Sequence, residues 1–333
     1  MLGSSDISQL AEQLVSHQLS PSQAQTLLLD VTPDKITPDG FAAFVSVVRQ
    51  VLSHEYADFA QLASSTFDCC GTGGSGLPHF NTSTTVAFVI ASAGVQVAKF
   101  GNRKATGHSG SFDLLAQLGF PAHISAAAAR QIMEETGLVF LFAPACYPAL
   151  AQLSAARQAL GKRTVFNYIG PLLNPAMPAR RLIGVSDLNM QECIAHSLCV
   201  EGTTEKALVV RSANNVDELE PGALNHMLHI EGSNKSALQQ DFTQFAAPGD
   251  SLSRGSRHLT PAHNKELFEQ IIGGIDRQSP YAALVRVNAG AALFAAGKAA
   301  SLESGHDLAA SLLADGTVQQ QFNKVRAAYA RHS

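Results

Sequence analysis

Apolar positions recur at helical spacing through the first 60 residues of the chain. Ile7, Leu10 and Leu14 follow one another three or four residues apart, which is typical of one face of an amphipathic helix. Ser20 to Gln23 predicts the start of a second helix, because it combines a capping box with proline at the first helical position. Thr37-Pro38 predicts the start of a third. No strand pattern interrupts this region, which therefore predicts a small helical domain.

From residue 66 the pattern changes to short β-rich runs that alternate with helical segments. Such alternation is typical of a mostly parallel sheet whose two faces are covered by helices. The predicted strands are Thr66 to Cys70, Val95 to Ala98, Leu138 to Phe142, Leu182 to Val185 and Ala207 to Val210. The predicted helices between them are about Ser83 to Ser92, Ala126 to Glu135 and Met190 to Val200, and Gly137 is expected to end the second of these.

The last third of the chain adds one polar stretch and further helices. Gly232 to Arg257 is polar and poorly periodic, which predicts a loop or an irregular strand. From Pro261 onwards an alanine-rich helical pattern returns. The predicted fold class is therefore α/β, with a small N-terminal helical domain at residues 1–65 and a large domain at 66–333. In the large domain, a mostly parallel central sheet is flanked by helices.

Composition excludes several classes of protein. Hydrophobic residues make up 46% of the chain and charged residues 15%, which is typical of a globular protein. The net charge of −4 argues against a general nucleic-acid binder. No C-x-x-C pair occurs among the five cysteines, so reduced thiols are expected. With neither a secretion signal nor an apolar run of about 18 residues, the chain is expected in the cytoplasm and outside membranes.

A glycine-rich turn follows the first predicted strand. Gly71 to Gly76 contains four glycines, which let backbone N–H groups approach an anion without interference from side chains. The helix that begins near Ser83 directs its N-terminal dipole, with the hydroxyls of Ser83 and Thr84, towards the same space. The alternative is an ordinary tight turn between strand and helix. The sequence does not match the G-x-x-x-x-G-K-[ST] phosphate loop.

A second polar cluster follows the next predicted strand. Lys99 to Lys104 contains three cationic side chains, and His108 to Ser111 adds small hydroxyl residues. Two consecutive turns of this kind lie side by side at the carboxyl edge of a parallel sheet, where open α/β sheets bind ligands. The pair suits a substrate that carries two anionic groups. For Lys104 and His108, the alternative is a solvated surface position.

The two turns contain GTGGS at 71–75, NTST at 81–84, KFGNR at 99–103 and HSGS at 108–111. This set closely resembles the GTGGD, NIST, KHGNR and KSGS motifs of the anthranilate phosphoribosyltransferase family. The resemblance continues through FLFAP at 140–144, RTVFNYIGPLLNPA at 163–176, VDE at 216–218 and VNAGAAL near Asn288. It implies Mg²⁺-dependent transfer of the phosphoribosyl group of PRPP to the amine of anthranilate, a step of tryptophan biosynthesis that releases pyrophosphate.

The resemblance also implies roles for the residues of both turns. The glycine turn is expected to wrap the pyrophosphate, and Asn102 to face both the ribose and the acceptor. Asn81 has helix capping as an alternative role. No side chain is expected to act as a covalent nucleophile. The implied PRPP-binding residues are Gly71, Thr72, Gly73, Gly74, Ser75, Asn81, Ser83, Thr84, Lys99, Asn102 and Ser111.

Asp217 and Glu218 are the implied magnesium ligands, with Ser83 nearby. Taken by spacing alone, an Asp-Glu pair is usually a solvated surface feature. The resemblance reverses that interpretation. The chemistry agrees with it, since Mg²⁺ prefers carboxylate, water and phosphate oxygens to a site built entirely by protein. The expected cofactor is therefore Mg²⁺.

On the acceptor side, Arg157 matches the arginine that holds the anthranilate carboxylate, a role that suits a planar guanidinium. A surface position on a helix is its alternative. Three residues depart from the family pattern: Phe100 and Tyr147 replace histidines, and Ser75 replaces an aspartate. The first two alter the hydrogen bonds offered to an acceptor. The implied acceptor-binding residues are Asn102, Arg157, Phe100, Tyr147, Gly170 and Pro171.

Three alternative functions stay open at this point. The departures at Phe100 and Tyr147 favour a transferase for a different aromatic amine. The stretch from Gly107 to Ser111 is also similar to the H-T-G-G stretch of nucleoside phosphorylases. The third alternative is a non-catalytic relative that binds nucleic acid, which the net charge disfavours. The resemblance further implies a homodimer through the helical domain, and a segment around residues 150–178 that joins this domain in space.

Overall fold

The computed structural model describes residues 3–16, 18–60, 62, 65–73, 80–103, 110–246 and 259–332. Its N-terminal part is helical, as predicted. The side chain of Ser20 accepts a hydrogen bond from the N–H of Gln23 at 3.4 Å, while Gln23 Oε1 accepts from the N–H of Ser20 at 3.0 Å. This capping box starts the second helix. The helices are α1 (Ser4–Ser16), α2 (Pro21–Leu28), α3 (Pro38–Val51) and α4 (Ser53–Tyr56).

A seven-stranded sheet forms the centre of the molecule and confirms the predicted α/β class. The strands lie in the order β3-β2-β1-β4-β5-β6-β7, and β1 to β5 pair in parallel. The last two strands add antiparallel pairs at one edge. The strands are β1 (Phe67–Gly71), β2 (Val97–Gly101), β3 (Leu138–Phe142), β4 (Arg180–Gly184), β5 (Lys206–Ser212), β6 (Leu224–Glu231) and β7 (Asn234–Asp241).

The prediction of a loop or irregular strand from Gly232 to Arg257 was wrong for its first part. Residues Asn234–Asp241 form a regular antiparallel strand paired with β6 along its length. Most of its side chains are exposed, since it is the edge strand of the sheet. Its order comes from the backbone ladder with β6, so it lacks the alternation of apolar and polar residues that would reveal a half-buried strand. Residues 247–258 lie outside the described part.

Helices cover both faces of the sheet. One of them, Thr82–Ser92, is almost entirely buried. It packs against β1 and against the long alanine-rich helix Pro280–Ala295. Gly137 ends another helix in the left-handed conformation, with φ of +72°, as its position predicted. These helices are α5 (Thr82–Ser92), α6 (Ser111–Gln117), α7 (Ala126–Thr136), α8 (Ala143–Cys146), α9 (Ser154–Leu160), α10 (Leu188–Val200), α11 (Pro261–Ile272), α12 (Pro280–Ala295), α13 (Leu302–Ala314) and α14 (Thr317–His332). None of the helices in the described ranges is long and apolar enough to cross a membrane.

The N-terminal helices contact the segment that follows β3. Phe44 of α3 packs edge-on against Phe166, with ring centroids 5.4 Å apart, and the N–H of Val165 donates to the carbonyl of Val31 at 2.9 Å. These contacts are of the kind expected for a helical domain completed by residues around 150–178. The division into domains at residue 65 stays a prediction.

A buried ion-pair network joins α3 to the sheet. Arg49 Nη1 donates to Glu201 Oε2 at 2.7 Å, and Arg181 Nη1 donates to the other oxygen of the same carboxylate. Arg49 Nε also donates to the carbonyl of Leu172 at 2.6 Å. Burial alone would raise the pKa of Glu201, but the two guanidinium groups lower it overall. The network therefore fixes α3 against the segment that carries the predicted acceptor residues.

Candidate functional site

The strand order reverses between β1 and β4. The chain runs outward from β1 through β2 to β3 and then returns to the other side of β1. At the carboxyl ends of the two central strands, Gly71 pairs with Gly184. Ligands of open α/β sheets bind in the crevice at such a switch point. The predicted glycine turn begins at this place.

Asp217 enters the crevice from the loop between β5 and β6. An added Cβ on Gly71 would lie 2.5 Å from Asp217 Oδ2, and one on Gly184 would lie 1.7 Å from the Asp217 carbonyl oxygen. Real Cβ atoms do not approach other atoms this closely. The two strand ends therefore require glycine, because the main chain and side chain of Asp217 fill the space beside them.

Asn288 of α12 anchors the loop that bears the two predicted metal ligands. Its side chain accepts from the N–H of Leu219 at 3.0 Å and donates to the Leu219 carbonyl at 2.8 Å. The hydroxyl of Ser212 accepts from the N–H of Val216 at 3.2 Å on the other side of the carboxylates. Asp217 and Glu218 thus lie on a backbone that is anchored at both ends.

The glycine turn contacts Asp217 through its backbone. Thr72 donates its N–H to the carbonyl of Gly184 at 2.9 Å, and Gly73 donates its N–H to Asp217 Oδ2 at 2.6 Å. Gly73 has a φ of +68°, in the left-handed region that favours glycine. The structure thereby brings Gly71, Thr72 and Gly73 together with the predicted metal ligands. Gly74 and Ser75 lie outside the described residues.

The N-terminus of α5 forms the other wall of the crevice. Asn81 occupies the N-cap position but makes no capping bond through its side chain, so the capping alternative does not hold here. Thr82 Oγ1 donates to Glu218 Oε2 at 2.9 Å. Thr84 is fully buried, and its hydroxyl has no hydrogen-bond partner among the described residues. The helix end and the carboxylate loop are therefore in direct contact through Thr82.

Lys99 is buried beside the N-terminus of α5. Its Nζ donates to the carbonyl of Cys69 at 2.6 Å and to Ser83 Oγ at 3.1 Å. Asp68 lies close by and accepts from Asn174 Nδ2 at 2.8 Å. Burial raises the pKa of Asp68, and the charge of Lys99 opposes that rise. Because Ser83 accepts from an ammonium, its own hydroxyl proton stays available for a second partner.

A small cavity of about 30 Å³ lies between these elements. Gly71, Thr82, Ser83, Asp217 and Glu218 all line it. Burial raises the pKa of Glu218 well above its ordinary value, and the neighbouring charge of Asp217 raises it further. Two adjacent carboxylates of this kind are stabilised as anions by a cation between or beside them.

The side chains that line this cavity fit Mg²⁺ better than they fit a metal ion whose ligands all come from the protein. Among the described residues, no group of three or more His, Cys, Asp or Glu side chains could hold a metal ion. Two carboxylates and the hydroxyl of Ser83 leave several coordination positions for water and substrate phosphate, which is the usual arrangement for Mg²⁺. The residues present therefore fit the predicted cofactor.

The end of β2 places Asn102 and Ser111 beside each other. Ser111 Oγ donates to the carbonyl of Asn102 at 3.2 Å, and an added Cβ on Gly101 would lie 2.3 Å from that hydroxyl oxygen. Asn102 is exposed. The carbonyl of Asn102 also accepts from the N–H of Phe112 at 3.3 Å. Residues 104–109, which include Lys104 and His108, lie outside the described part.

Comparison with known proteins bears on this architecture. The model of the glycosyl transferase family, a/b domain, matches residues 63–319. An anthranilate phosphoribosyltransferase from Desulfitobacterium hafniense (strain Y51) is 36% identical over 321 residues, which cover 96% of this chain and 92% of that protein. The chain belongs to the anthranilate phosphoribosyltransferase family.

Solved structures of the family have the same fold. The crystal structure of anthranilate phosphoribosyltransferase from Thermus thermophilus is 30% identical, with a TM-score of 0.84, and the match covers 99% of this chain and 96% of that one. The enzyme from Saccharomyces cerevisiae in complex with PRPP and Mg also has a TM-score of 0.84 over 99% of this chain and 94% of that one. It is 21% identical, so this second likeness concerns the fold alone.

Three of the residues that match the acceptor side of the family, Arg157, Gly170 and Pro171, lie on α9 and in a turn after it. Arg157 is half-buried, and its Nη2 donates to the carbonyl of Phe166 at 3.4 Å. Within the described residues it forms no ion pair with a carboxylate. Gly170 and Pro171 form a 3-10 turn. An added Cβ on Gly170 would meet no atom within 4 Å, so this face of the turn borders open space.

Phe100 and Tyr147, the two departures from the family motifs, pack against each other. Their rings meet edge to face with centroids 5.9 Å apart, and both side chains are buried. The hydroxyl of Tyr147 donates to the carbonyl of Leu173 at 2.5 Å. Burial raises the pKa of this phenol, so it stays protonated. Tyr147 thereby bonds to the residue that ends the turn containing Gly170.

Three residues at the crevice were not among the predicted site residues. Thr82 stands between two predicted positions in the N-T-S-T motif, so the motif itself carried a signal. Arg163 begins the R-T-V-F-N run, and its guanidinium contacts the glycine turn. Ser186 Oγ donates to the carbonyl of Gly73 at 3.2 Å. No sequence signal singles out Ser186.

Proposed function

We propose that this protein transfers the 5-phosphoribosyl group of PRPP to the amine of anthranilate and releases pyrophosphate, with Mg²⁺ as cofactor. One observation carries the proposal. At the switch point of the sheet, the backbone N–H of Gly73 in the glycine turn donates to the buried carboxylate of Asp217. Anion-binding backbone and metal-binding carboxylates thus meet in one crevice, as a magnesium–diphosphate substrate requires.

Family membership supports the choice of reaction. The relatives from Desulfitobacterium hafniense and Syntrophomonas wolfei carry the name anthranilate phosphoribosyltransferase, at 36% and 33% identity over 96% and 95% of this chain. The Saccharomyces cerevisiae enzyme was solved with PRPP and Mg. The crevice beside Asp217 therefore suits a diphosphate donor with a magnesium ion, and the segment with Arg157 suits an aromatic acid as acceptor.

The donor half of the crevice binds and orients the diphosphate. The N–H of Gly73 and the N-terminus of α5 direct backbone dipoles into the crevice, and Ser83 keeps a hydroxyl proton for a phosphate oxygen. Asp217 and Glu218 would hold Mg²⁺, which when bound would supply positive charge against the leaving pyrophosphate. Because these groups are fixed before the substrate arrives, they stabilise the developing charge without reorganising.

The acceptor half orients a weak nucleophile. An aromatic amine is already unprotonated near neutral pH, so the chain does not need a general base to activate it. Arg157 binds the acceptor carboxylate, and the open face of Gly170 leaves room for the ring. Holding the amine against the anomeric carbon removes much of the entropic barrier to the substitution. Exclusion of water from the crevice protects the reactive sugar from hydrolysis.

The test is an assay of the purified protein. With PRPP, Mg²⁺ and anthranilate we expect stoichiometric release of pyrophosphate and loss of free anthranilate. Removal of the metal by a chelator should stop both, and added Mg²⁺ should restore both. Turnover of a nucleoside with phosphate, without use of PRPP, would contradict the proposal and favour the phosphorylase alternative.

A second candidate is transfer to a different aromatic amine. Phe100 and Tyr147 favour it, because they form an apolar pair where the family motifs contain histidines. A panel of substituted aminobenzoates, each assayed with PRPP, decides between the two. Anthranilate should have the highest kcat/KM if it is the substrate. A higher value for another amine would reassign the acceptor and leave the use of PRPP intact.

We propose a cytoplasmic homodimer that associates through the N-terminal helices, which the resemblance to the family supports. Light scattering of the full-length protein measures its mass, and a value of twice the chain mass is expected. A monomer at micromolar concentration would contradict the dimer.

A further inference from the structure

We infer that Arg163 is a positioning residue that sets the affinity for the donor substrate by holding the backbone of Thr72 and Gly73 in the conformation that receives the diphosphate. The inference deepens the proposed function and rests on it, because the donor is PRPP. Arg163 donates through Nη1 and Nη2 to the carbonyl of Gly73, at 3.1 and 3.0 Å. Nη2 also donates to the carbonyl of Thr72 at 3.3 Å. One guanidinium therefore holds two consecutive carbonyls.

The peptide units of this turn are fixed from opposite sides. The N–H of Gly73 donates to Asp217, while its carbonyl accepts from Arg163 and from Ser186 at 3.2 Å. Gly73 has a φ of +68°, and glycine has more conformational freedom than any other residue. A turn of this composition is ordered by its partners. Among the described residues, those partners are Gly184, Asp217, Ser186 and Arg163.

The geometry of the guanidinium explains why arginine suits the position. Its fork of N–H donors spans two acceptors in one plane, which a lysine ammonium cannot match. The guanidinium also lies over the ring of Tyr168, with Cζ 4.5 Å from the ring centroid. This stacking restricts the side chain before any ligand binds. By binding the carbonyls of Thr72 and Gly73, Arg163 keeps these two oxygens from repelling an anion in the crevice.

Arg163 also joins the two halves of the site. It lies between α9, which carries Arg157, and the 3-10 turn with Gly170 and Pro171. The segment that holds the acceptor is therefore bonded directly to the turn that binds the donor. A movement of this segment would change the conformation of Thr72 and Gly73, so donor binding and acceptor binding are coupled through one side chain.

The test compares three variants by their affinity for PRPP, measured calorimetrically in the presence of Mg²⁺. Arg163→Ala should raise the Kd and the KM for PRPP roughly ten- to hundredfold, the range for hydrogen bonds made by a charged group. Arg163→Lys should lie between this variant and the wild type. Lys162→Ala is the matched control, because Lys162 is an exposed neighbouring cation, and it should leave both constants unchanged.

A merely structural role predicts a different pattern. It would lower the Tm and the fraction of active protein, so kcat would fall while the KM for PRPP stayed constant. We expect the opposite result, in which the KM for PRPP rises while kcat stays nearly constant. Millimolar guanidinium should also restore part of the PRPP affinity of Arg163→Ala and leave the affinity of the wild type unchanged. An unchanged Kd in both Arg163 variants overturns the inference, whatever their Tm.

A readout without ligand separates this inference from the proposed function. Amide hydrogen exchange in the peptide that contains Thr72 and Gly73 should be faster in Arg163→Ala than in the wild type and in Lys162→Ala. If the wild type does not bind PRPP, the proposed function is wrong, and the exchange rates still decide whether Arg163 holds the turn. If the wild type binds PRPP and Arg163→Ala binds equally well, only the inference fails.

Discussion

The main chain of Asp217 lies so close to Gly184 that a methyl group on that glycine would be 1.7 Å from the Asp217 carbonyl oxygen. The carboxyl end of β4 and the loop after β5 therefore share one space. This contact places the buried carboxylate beside Gly71 and Gly73 at the switch point of the sheet. The position of the predicted metal ligand thus depends on the absence of a side chain on a neighbouring strand.

Replacement of this glycine should displace the carboxylate. Gly184→Ala cannot fit without movement of the loop, so we expect a loss of about 1–3 kcal/mol in the free energy of unfolding, typical of overpacking. Turnover should fall together with it. Thermal denaturation and the pyrophosphate assay measure the two effects. Gly170→Ala is the stability control, because its Cβ meets open space, and it should stay within about 0.5 kcal/mol of the wild type.

Removal of the charge of Asp217 should abolish turnover with every acceptor. Asp217→Asn keeps an oxygen for the N–H of Gly73 but loses the negative charge that a cation requires. We expect kcat to fall roughly a hundredfold or more, as for loss of electrostatic stabilisation of the leaving group. Glu12→Gln removes an exposed carboxylate on α1 and should have no effect. Normal turnover in Asp217→Asn at ordinary Mg²⁺ concentrations would exclude this residue as a metal ligand.

Replacement of Arg157 should weaken binding of the acceptor and leave binding of the donor unchanged. Its guanidinium makes one long hydrogen bond to the carbonyl of Phe166 and lies over the Phe166 ring, and no carboxylate in the described residues forms an ion pair with it. We expect Arg157→Ala to raise the KM for anthranilate roughly ten- to hundredfold, with the KM for PRPP unchanged. Steady-state kinetics with each substrate varied in turn measure this split. An acceptor without a carboxylate should be insensitive to the change, and equal effects on both substrates would argue for a general loss of structure.

The buried carboxylate of Glu201 should make stability depend on pH. Its pKa in the folded protein is lowered from the ordinary value of 4.5, so its stabilising effect is present above that value and is lost as the pH falls through the folded pKa. Glu201→Gln leaves Arg181 and Arg49 without their carboxylate. We expect it to cost about 3–5 kcal/mol of unfolding free energy near neutral pH.

The difference between Glu201→Gln and the wild type should shrink below about pH 4.5, where the wild-type carboxylate becomes protonated. Urea unfolding at several pH values measures it. Glu205→Gln is the control, because its pair with Arg180 is largely exposed, and it should cost about 1 kcal/mol or less. A pH-independent difference for Glu201→Gln would show that packing, rather than charge, accounts for the loss.

Local signals account for the elements that the sequence predicted well. The capping box at Ser20 and the left-handed glycine at Gly137 are decided by residues a few positions apart, so they are visible in the sequence. The strand Leu138–Phe142 has the predicted bounds, since a buried parallel strand is a continuous apolar run. The edge strand Asn234–Asp241 was missed because its order depends on pairing with β6.

The residues of the site also divide into those that local sequence signals predicted and those that they did not. The glycine turn and the hydroxyl residues of α5 lie at strand and helix ends, so the order of elements predicted their meeting place. Arg163 and Ser186 reach the carbonyl of Gly73 from 90 and 113 residues away along the chain. Such contacts come from the packing of distant segments, and no spacing within the sequence reveals them.

The central claim is that the crevice between Gly73, Ser83 and Asp217 binds a magnesium–diphosphate. A crystal of the full-length protein soaked with PRPP and Mg²⁺ tests it most directly. We predict density for the diphosphate against the backbone of Thr72 and Gly73, with the metal bound by Asp217 and Glu218. A diphosphate bound elsewhere, or a crevice that stays empty at saturating PRPP, would contradict the account.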